Sequence, residues 1–297
     1  MDPPSPLEAS PPAQAGGYPT LWQIAVLIGL LPVCFLIQAA LYSRFPRLSV
    51  AASGASMITL TVMLIGRWGL APRRVLLLNR AGAGILVRTA LLTGVLAILL
   101  AEVQALTAPF LPMPVRFAEF LEKMTDLLAV NDLSSFLAAV VTISLFPAVS
   151  EEMLFRGLVL TGLRRRFGPA VAVAGAGTLF ATVHLNPWQF IPLLLIGIFI
   201  SFVVHRTNSL YAGIVAHATN NLLSLAALNV GRRYAPATLD PQAHLPAGVV
   251  LSALVLFVAG MTDLVRMTRN DAAGREEAEG KIVDAEGEPG GTKERDP

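Results

Sequence analysis

Eight apolar runs, each near the length of a membrane-crossing helix, dominate this chain. A helix needs about 20 predominantly apolar residues to cross a bilayer. Because a chain in lipid must satisfy its backbone hydrogen bonds internally, such runs predict helices and not open sheets. The sequence therefore predicts an all-α, polytopic transmembrane helix bundle of about eight spans, at 21–43, 48–66, 85–107, 133–163, 169–186, 190–205, 208–228 and 247–267.

The composition agrees with this class of protein. Hydrophobic residues make up 54% of the chain and charged residues only 14%, whereas a soluble domain carries about 25% charged residues. The mean hydropathy is +0.63. The single cysteine, Cys34, excludes an intrachain disulfide and a cysteine-based metal site.

Both ends of the chain differ from its middle. Residues 1–20 contain six prolines and no Lys or Arg, and residues 270–297 contain nine acids and four bases. We expect both to be disordered tails, the first Pro-rich and the second acidic, around a transmembrane domain at 21–269.

The basic residues of the loops predict an orientation. If both termini are cytoplasmic, fifteen Lys and Arg residues fall inside and six outside, although six of the fifteen belong to the C-terminal segment from Arg266 onward. By the positive-inside rule we expect cytoplasmic termini, in an integral, multi-pass protein of the plasma membrane.

Three polar motifs interrupt the most apolar part of the chain. They read Glu151-Glu152-x-x-x-Arg156, Phe180-x-x-x-His184 and His217-x-x-x-Asn221. Ionisable groups at membrane depth cost about 2.5–3.5 kcal/mol each on insertion scales, so they usually serve a function.

Counting along each helix places the three motifs at one height. Glu151 lies thirteen residues before Arg164, and His184 lies fifteen after Pro169; at 1.5 Å per residue these are about 20 and 22 Å. Asn221 lies fifteen residues after Arg206. The motifs therefore meet the first requirement of a single site.

Helix geometry then predicts which side chains meet. Residues four apart share a face, so Glu152 can pair with Arg156, while Glu151 points about 100° away and stays free. Each motif also has a structural alternative, namely a surface ion pair, a hydrogen bond between helices or a polar contact within the bundle. The shared height of all three favours a common site.

These residues resemble the CPBP family of intramembrane endopeptidases (CAAX proteases and bacteriocin-processing enzymes), which includes the Rce1-type prenyl protease. The family pattern is present in order as Glu151-Glu152-Met-Leu-Phe-Arg156, Phe180-Ala-Thr-Val-His184 and His217-Ala-Thr-Asn-Asn221. The resemblance covers about 133–228, which would be the catalytic core.

The resemblance implies hydrolysis of a peptide bond in or near the bilayer, and it implies a role for each residue. Glu151 would be the general base that activates water, and His184 would hold that water. His217 and Asn221 would donate hydrogen bonds to the oxyanion. Glu152 and Arg156 would support the site, with the ring of Phe180 walling the pocket.

The residues of the three motifs leave open whether the site binds a metal. Glu151, His184 and His217 could ligate zinc and leave a position for water. No His-Glu-x-x-His motif is present, however, and asparagine is a poor zinc ligand. We therefore expect a glutamate mechanism without a cofactor and keep the zinc metalloprotease as an alternative.

Two other classes of function compete with the protease. A proton-coupled membrane transporter could use buried Glu and His as a relay, although a relay has no use for the amide of Asn221. A non-catalytic immunity or scaffold protein could share the fold. The expected partners are the lipid bilayer and a peptide or membrane-protein substrate, lipidated or not, and no nucleic acid.

Overall fold

A computed structural model describes residues 17–126, 128–234 and 240–287. The regular structure in these ranges is helical throughout, which confirms the all-α prediction. In chain order the α-helices are α1 (Leu21–Tyr42), α2 (Pro46–Arg67), α3 (Pro72–Val75), α4 (Ala83–Thr107), α5 (Val115–Asp126), α6 (Leu133–Ala139), α7 (Phe146–Glu152), α8 (Leu160–Phe167), α9 (Pro169–Val183), α10 (Phe190–Thr207), α11 (Leu210–Tyr234) and α12 (Ala247–Gly287).

Six helical stretches of the described chain are long and apolar enough to cross a membrane, fewer than the eight predicted runs. The other two runs are helical as well. The helix α9 is apolar but only 15 residues long, and in α11 histidine, asparagine and arginine residues interrupt the apolar sequence. The six are Leu21–Tyr42, Pro46–Arg67, Ala83–Phe110, Leu133–Phe167, Pro187–Thr207 and Ala247–Arg269.

The outer face of the bundle is apolar. Large side chains such as Leu36, Met63, Leu91 and Val255 are more than 60% exposed. A soluble monomer rarely exposes contiguous apolar surface of this kind, whereas lipid tails solvate it well. The chain is therefore an integral membrane protein.

The last helix is longer than the sequence analysis predicted. The helix α12 continues to Gly287, into the segment that was expected to be a disordered acidic tail. The local reason is that this stretch is rich in Ala and Glu, which are strong helix formers. Residues 1–16 and 288–297 lie outside the described part, so the division into one domain and two tails stays a prediction.

The helices α9 and α10 form a close hairpin, joined by a short 3₁₀ turn at Pro187–Gln189. The contact depends on two glycines, because a Cβ added at Gly197 would lie 3.0 Å from the Cα of Gly177. Small residues of this kind let two membrane helices approach backbone to backbone. The hairpin brings the start of α10 close to His184, the residue that ends α9.

The predicted run 133–163 lies in the helical stretch Leu133–Phe167, which contains two π-helical segments. They are Val140–Leu145 and Met153–Val159, and they flank α7 on both sides. The first has a cause in the sequence, because Pro147 has no N–H to donate to the carbonyl of Ile143 four residues before it. Wider turns of this kind occur most often at functional sites.

Candidate active site

Four helical elements carry the residues of the three motifs. The helix α7 ends on Glu151 and Glu152, and the π-helical segment after it holds Arg156. His184 is the C-terminal cap of α9. The helix α11 packs against α7 and carries both His217 and Asn221.

Glu152 and Arg156 form a fully buried ion pair. The Nη1 atom of Arg156 lies 2.5 Å from the Oε1 atom of Glu152, and both side chains have no exposed surface. The pairing agrees with the one-turn spacing of the two residues in the sequence. Neither charge could stay in this position alone, because an unpaired buried charge costs several kcal/mol.

Arg156 has further partners that the sequence analysis did not identify, all on α10. Its Nη2 donates to the carbonyl oxygen of Gly197 at 2.9 Å, and its Nε donates to the hydroxyl of Ser201 at 3.3 Å. The serine hydroxyl in turn donates to the same carbonyl. Arg156 thus fixes α10 against the segment that bears the two glutamates, and nothing in the spacing of Ser201 marked it for this contact.

The ring of Phe180 lies at the centre of the site. Its centroid is 4.6 Å from that of His184 and 5.6 Å from that of His217. The guanidinium carbon of Arg156 lies 4.8 Å from the same centroid, within the range of a cation–π contact. Phe180 therefore contacts both imidazoles and the guanidinium of the ion pair.

His217 is held by the buried carboxylate. Its Nδ1 lies 2.8 Å from Oε1 of Glu152, the same oxygen that accepts from Arg156. Because an ionised carboxylate only accepts, Nδ1 must carry the proton. The other ring nitrogen, Nε2, is directed toward Glu151 at 3.9 Å.

His184 is oriented in the same manner by a different acceptor. Its Nδ1 lies 2.7 Å from the main-chain carbonyl of Phe180, which can only accept. Nδ1 of His184 therefore carries a proton too. Its Nε2 lies 3.8 Å from Oε2 of Glu151.

Glu151 is the free carboxylate of the site. Within the described residues its Oε2 is buried without a hydrogen-bond partner, although the side chain as a whole is 18% exposed. The distances of 3.8 and 3.9 Å to the two Nε2 atoms are too long for direct hydrogen bonds. They leave room for a small group between the carboxylate and the imidazoles.

Counting donors and acceptors shows what that small group must supply. If both imidazoles are neutral, Glu151 Oε2 and two Nε2 atoms are all acceptors, and one water can donate only two hydrogen bonds. Glu151 and Glu152 carry two negative charges against the single positive charge of Arg156. One additional positive charge, such as a protonated imidazole, would supply the missing hydrogen-bond donor and would also balance the net charge of the site.

Asn221 lies one turn beyond His217 on α11, and its side chain is already engaged. Its Nδ2 donates to the main-chain carbonyl of Ile143 at 3.4 Å, a long hydrogen bond. One N–H of the amide is thereby used, while the second N–H and the carbonyl oxygen have no partner among the described residues.

A cavity of about 380 Å³ adjoins Glu151 and His184. Its remaining walls come from α1 and α2 and from the side chain of Phe155, with Gln38 of α1 as a further polar residue. The first two helices were predicted as plain apolar spans, and Gln38 was not assigned to a site. Its signal is an amide in the apolar part of α1, whereas the other glutamine of the helix, Gln23, belongs to the N-terminal cap.

Zinc is the metal that the donor atoms could hold. In tetrahedral coordination at 2.0–2.1 Å, ligand atoms lie about 3.3 Å apart. Glu151 Oε2 is 3.8 and 3.9 Å from the two imidazole nitrogens, and no His, Cys, Asp and Glu cluster in the described ranges has the geometry of a metal site. One carboxylate and two imidazoles whose Nδ1 atoms are hydrogen-bonded suit zinc. To bind it, however, Oε2 of Glu151 and the two Nε2 atoms would have to move closer together.

Comparison with known protein families gives one match. Residues 133–223 match the family described as type II CAAX prenyl endopeptidase Rce1-like. Neither the curated proteins nor the solved structures gave a match to this chain. The matched segment runs from α6 into α11 and contains the seven residues of the three motifs. The residues of all three motifs therefore lie in a segment, a little under a third of the chain, that is similar to the Rce1-like family.

Proposed function

We propose that this protein is an intramembrane endopeptidase that hydrolyses a peptide bond with a water activated by Glu151. The observation that carries the proposal is the position of Oε2 of Glu151, which faces the Nε2 atoms of His184 and His217 and, in the described part of the chain, accepts no hydrogen bond. The Rce1-like segment that contains these residues supports the same class of reaction.

The geometry suggests how the reaction would run. The carboxylate of Glu151 takes a proton from a water that His184 holds, and the water oxygen attacks the carbonyl carbon of the substrate. The oxyanion that forms accepts hydrogen bonds from Nε2–H of protonated His217 and from the free N–H of Asn221. Glu151 then passes its proton to the departing amine nitrogen, which completes the hydrolysis.

Glu152 and Arg156 act in this proposal by positioning His217. Glu152 accepts from Nδ1 of His217 and so fixes the ring with Nε2 toward the reacting atoms. Because Nδ1 already donates to Glu152, His217 can donate to an oxyanion only through an Nε2–H. Arg156 keeps Glu152 in place and links both to α10.

We propose that the reaction needs no metal. A protonated imidazole supplies the positive charge and the hydrogen-bond donor that the acceptor atoms around Glu151 otherwise lack. If zinc does take part, Glu151, His184 and His217 would hold it, and it would supply a more acidic bound water. The two mechanisms differ in their response to a chelator, which gives a direct test.

The substrate in this proposal is a peptide or a membrane protein that reaches the site from the bilayer. The description of the matched family makes a lipidated chain one candidate. The site also requires water, and Glu151 and His184, both partly exposed, line the cavity that could admit it. The excess of Arg in the segments around Arg74, Arg165 and Arg206 supports cytoplasmic termini in the plasma membrane.

The test is a cleavage assay on a peptide panel in detergent, with and without a chelator. We expect the wild type to cleave, and Glu151→Gln and His184→Ala to lose at least about 10²-fold in rate. Glu119→Gln, which removes a carboxylate from the exposed face of α5, is the matched control and should cleave like the wild type. Equal cleavage by Glu151→Gln would overturn the role of Glu151, and no cleavage by the wild type would favour the transporter or the scaffold. Loss of activity with chelator would overturn the metal-free mechanism.

A further inference from the structure

Apart from Glu151, His184 and Gln38, the residues that line the cavity beside the two candidate catalytic residues are apolar. Its volume of about 380 Å³ lies in the range of pockets that bind small ligands, about 300–1,000 Å³. The helices α1 and α2 form the wall opposite Glu151 and His184, with Leu31 and Phe35 on α1 and Met57 on α2. Whatever occupies this cavity lies directly against the groups that would cut it.

Gln38 is the polar exception on that wall. Leu31, Phe35 and Gln38 follow one another at spacings of four and three residues, so all three project from one face of α1. The side-chain amide offers two donors and an acceptor. Among the residues that the structure describes it has no hydrogen-bond partner, and it is not among those with a further unspecified contact.

An amide without a partner is costly in an apolar span. Gln38 is half-buried, so it meets part of the cost of about 1–3 kcal/mol that a fully buried amide without a hydrogen bond would carry. The helix α1 has an apolar sequence with a mean hydropathy of 2.6 over its most apolar window, and no other structural contact accounts for Gln38. The amide is therefore matched to a partner that enters the cavity from outside.

We infer that Gln38 binds the main chain of the substrate peptide in this cavity. An extended peptide carries one N–H and one C=O per residue, and both need partners once the peptide leaves water. The amide of Gln38 can donate to the one and accept from the other, while the apolar walls hold a neighbouring apolar side chain. The inference rests on the proposed function and adds a substrate-binding residue outside the Rce1-like segment 133–223.

The expected effect is on substrate binding and not on the chemical step. An interaction that the ground state and the transition state share equally changes KM and leaves kcat as it was. Loss of one hydrogen bond should raise KM about five- to tenfold. Because the change to Leu removes a polar group from an apolar helix, it should not lower the melting temperature.

The experiment compares Gln38→Leu with the wild type on the best-cleaved apolar peptide. Leu36→Ala on the same helix, with Leu36 67% exposed to lipid, is the matched control and should behave as the wild type. A set of depsipeptides, each with one main-chain N–H replaced by an ester oxygen, identifies the contact. At one position the ester should weaken binding to the wild type but not to Gln38→Leu, a coupling that a merely structural residue would not produce.

Two outcomes would overturn the inference. An unchanged KM, or a fall in kcat together with a lower melting temperature, would show that Gln38 does not contact the substrate. If the wild type cleaves no peptide, the proposed function fails, and peptide affinity is then compared between Glu151→Gln and the double variant with Gln38→Leu. Equal affinities, or no binding to either protein, would overturn the role of Gln38 as well.

Discussion

The side-chain amide of Asn221 donates to the main-chain carbonyl of Ile143, 78 residues earlier in the chain. That carbonyl cannot accept the usual α-helical hydrogen bond, because Pro147, the residue four positions later, has no N–H. The contact joins α11 to the π-helical segment that precedes the two glutamates. It also fixes the orientation of the amide, whose second N–H stays available.

Replacing Asn221 by Ala should therefore affect catalysis more than folding. In the proposed mechanism the second N–H contacts the oxyanion, and removal of one such donor costs about 10²–10³ in kcat. KM should change little, because the contact forms only in the transition state. Steady-state cleavage kinetics give both constants.

The neighbouring residue offers a control for that measurement. Asn220→Ala removes a side chain that makes no hydrogen bond with any described residue, so both constants should stay near their wild-type values. If Asn221→Ala lowered the melting temperature and left kcat unchanged, the amide would only hold the two helical segments together and would not contact the oxyanion.

Removal of the buried carboxylate of Glu152 should mainly lower the stability of the fold, whereas removal of the Asn221 amide should mainly lower kcat. Glu152→Gln leaves the fully buried guanidinium of Arg156 without its counter-charge, and breaking a buried ion pair from one side costs about 3–5 kcal/mol. Thermal unfolding in detergent measures the loss. As a control, Asp263→Asn breaks the exposed pair with Arg88 and should lower the stability by about 1 kcal/mol or less. If Glu152→Gln and Asp263→Asn lowered the stability equally, the result would contradict the burial of the Glu152–Arg156 pair.

Local geometry explains which parts of the site the sequence could predict. The pairing of Glu152 with Arg156 follows from a spacing of four residues on a helix, and apolar run length was enough to predict an all-helical membrane protein. The bond from His217 to Glu152 joins residues 65 apart. Spacing within one helix cannot predict such a bond, because it depends on how two helices pack.

Packing between membrane helices is weakly encoded in an apolar sequence. Lipid and neighbouring helices are equally apolar, so no pattern of polar and apolar residues identifies the inner face of a span. Ser201 of α10 contacts Arg156, and Gln38 of α1 lines the cavity, yet neither has a spacing that marks it. The signal for both is a small or polar residue in an apolar helix, which predicts a contact but not its partner.

The contact between Gly177 and Gly197 gives a prediction about the fold itself. A Cβ added at Gly177 would lie 2.7 Å from the backbone nitrogen of Ile198, which cannot move aside. Gly177→Ala should therefore separate α9 from α10 and lower the stability by about 1–3 kcal/mol, the usual cost of overpacking. Thermal unfolding checks the value.

A second glycine distinguishes crowding from a general effect of alanine. A Cβ added at Gly29 in the middle of α1 meets nothing within 4 Å, and alanine favours a helix over glycine by up to about 1 kcal/mol. Gly29→Ala should thus be neutral or stabilising. A destabilisation of the same size at both positions would mean that the close approach of the two helices does not explain the effect.

The protonation of the histidines gives the most direct test of the catalytic proposal. The chain has four histidines, so nitrogen-15 resonances from labelled histidine can be assigned by single substitutions. His184 should carry its proton on Nδ1, which donates to Phe180, and the proposed mechanism requires protons on both nitrogens of His217, one donated to Glu152 and one to the oxyanion. In Glu152→Gln the resonance of Nδ1 of His217 should move, because its hydrogen-bond acceptor is no longer a carboxylate. A neutral His217 in the wild type would remove the oxyanion donor from the mechanism and leave the positive charge of the site to a metal ion.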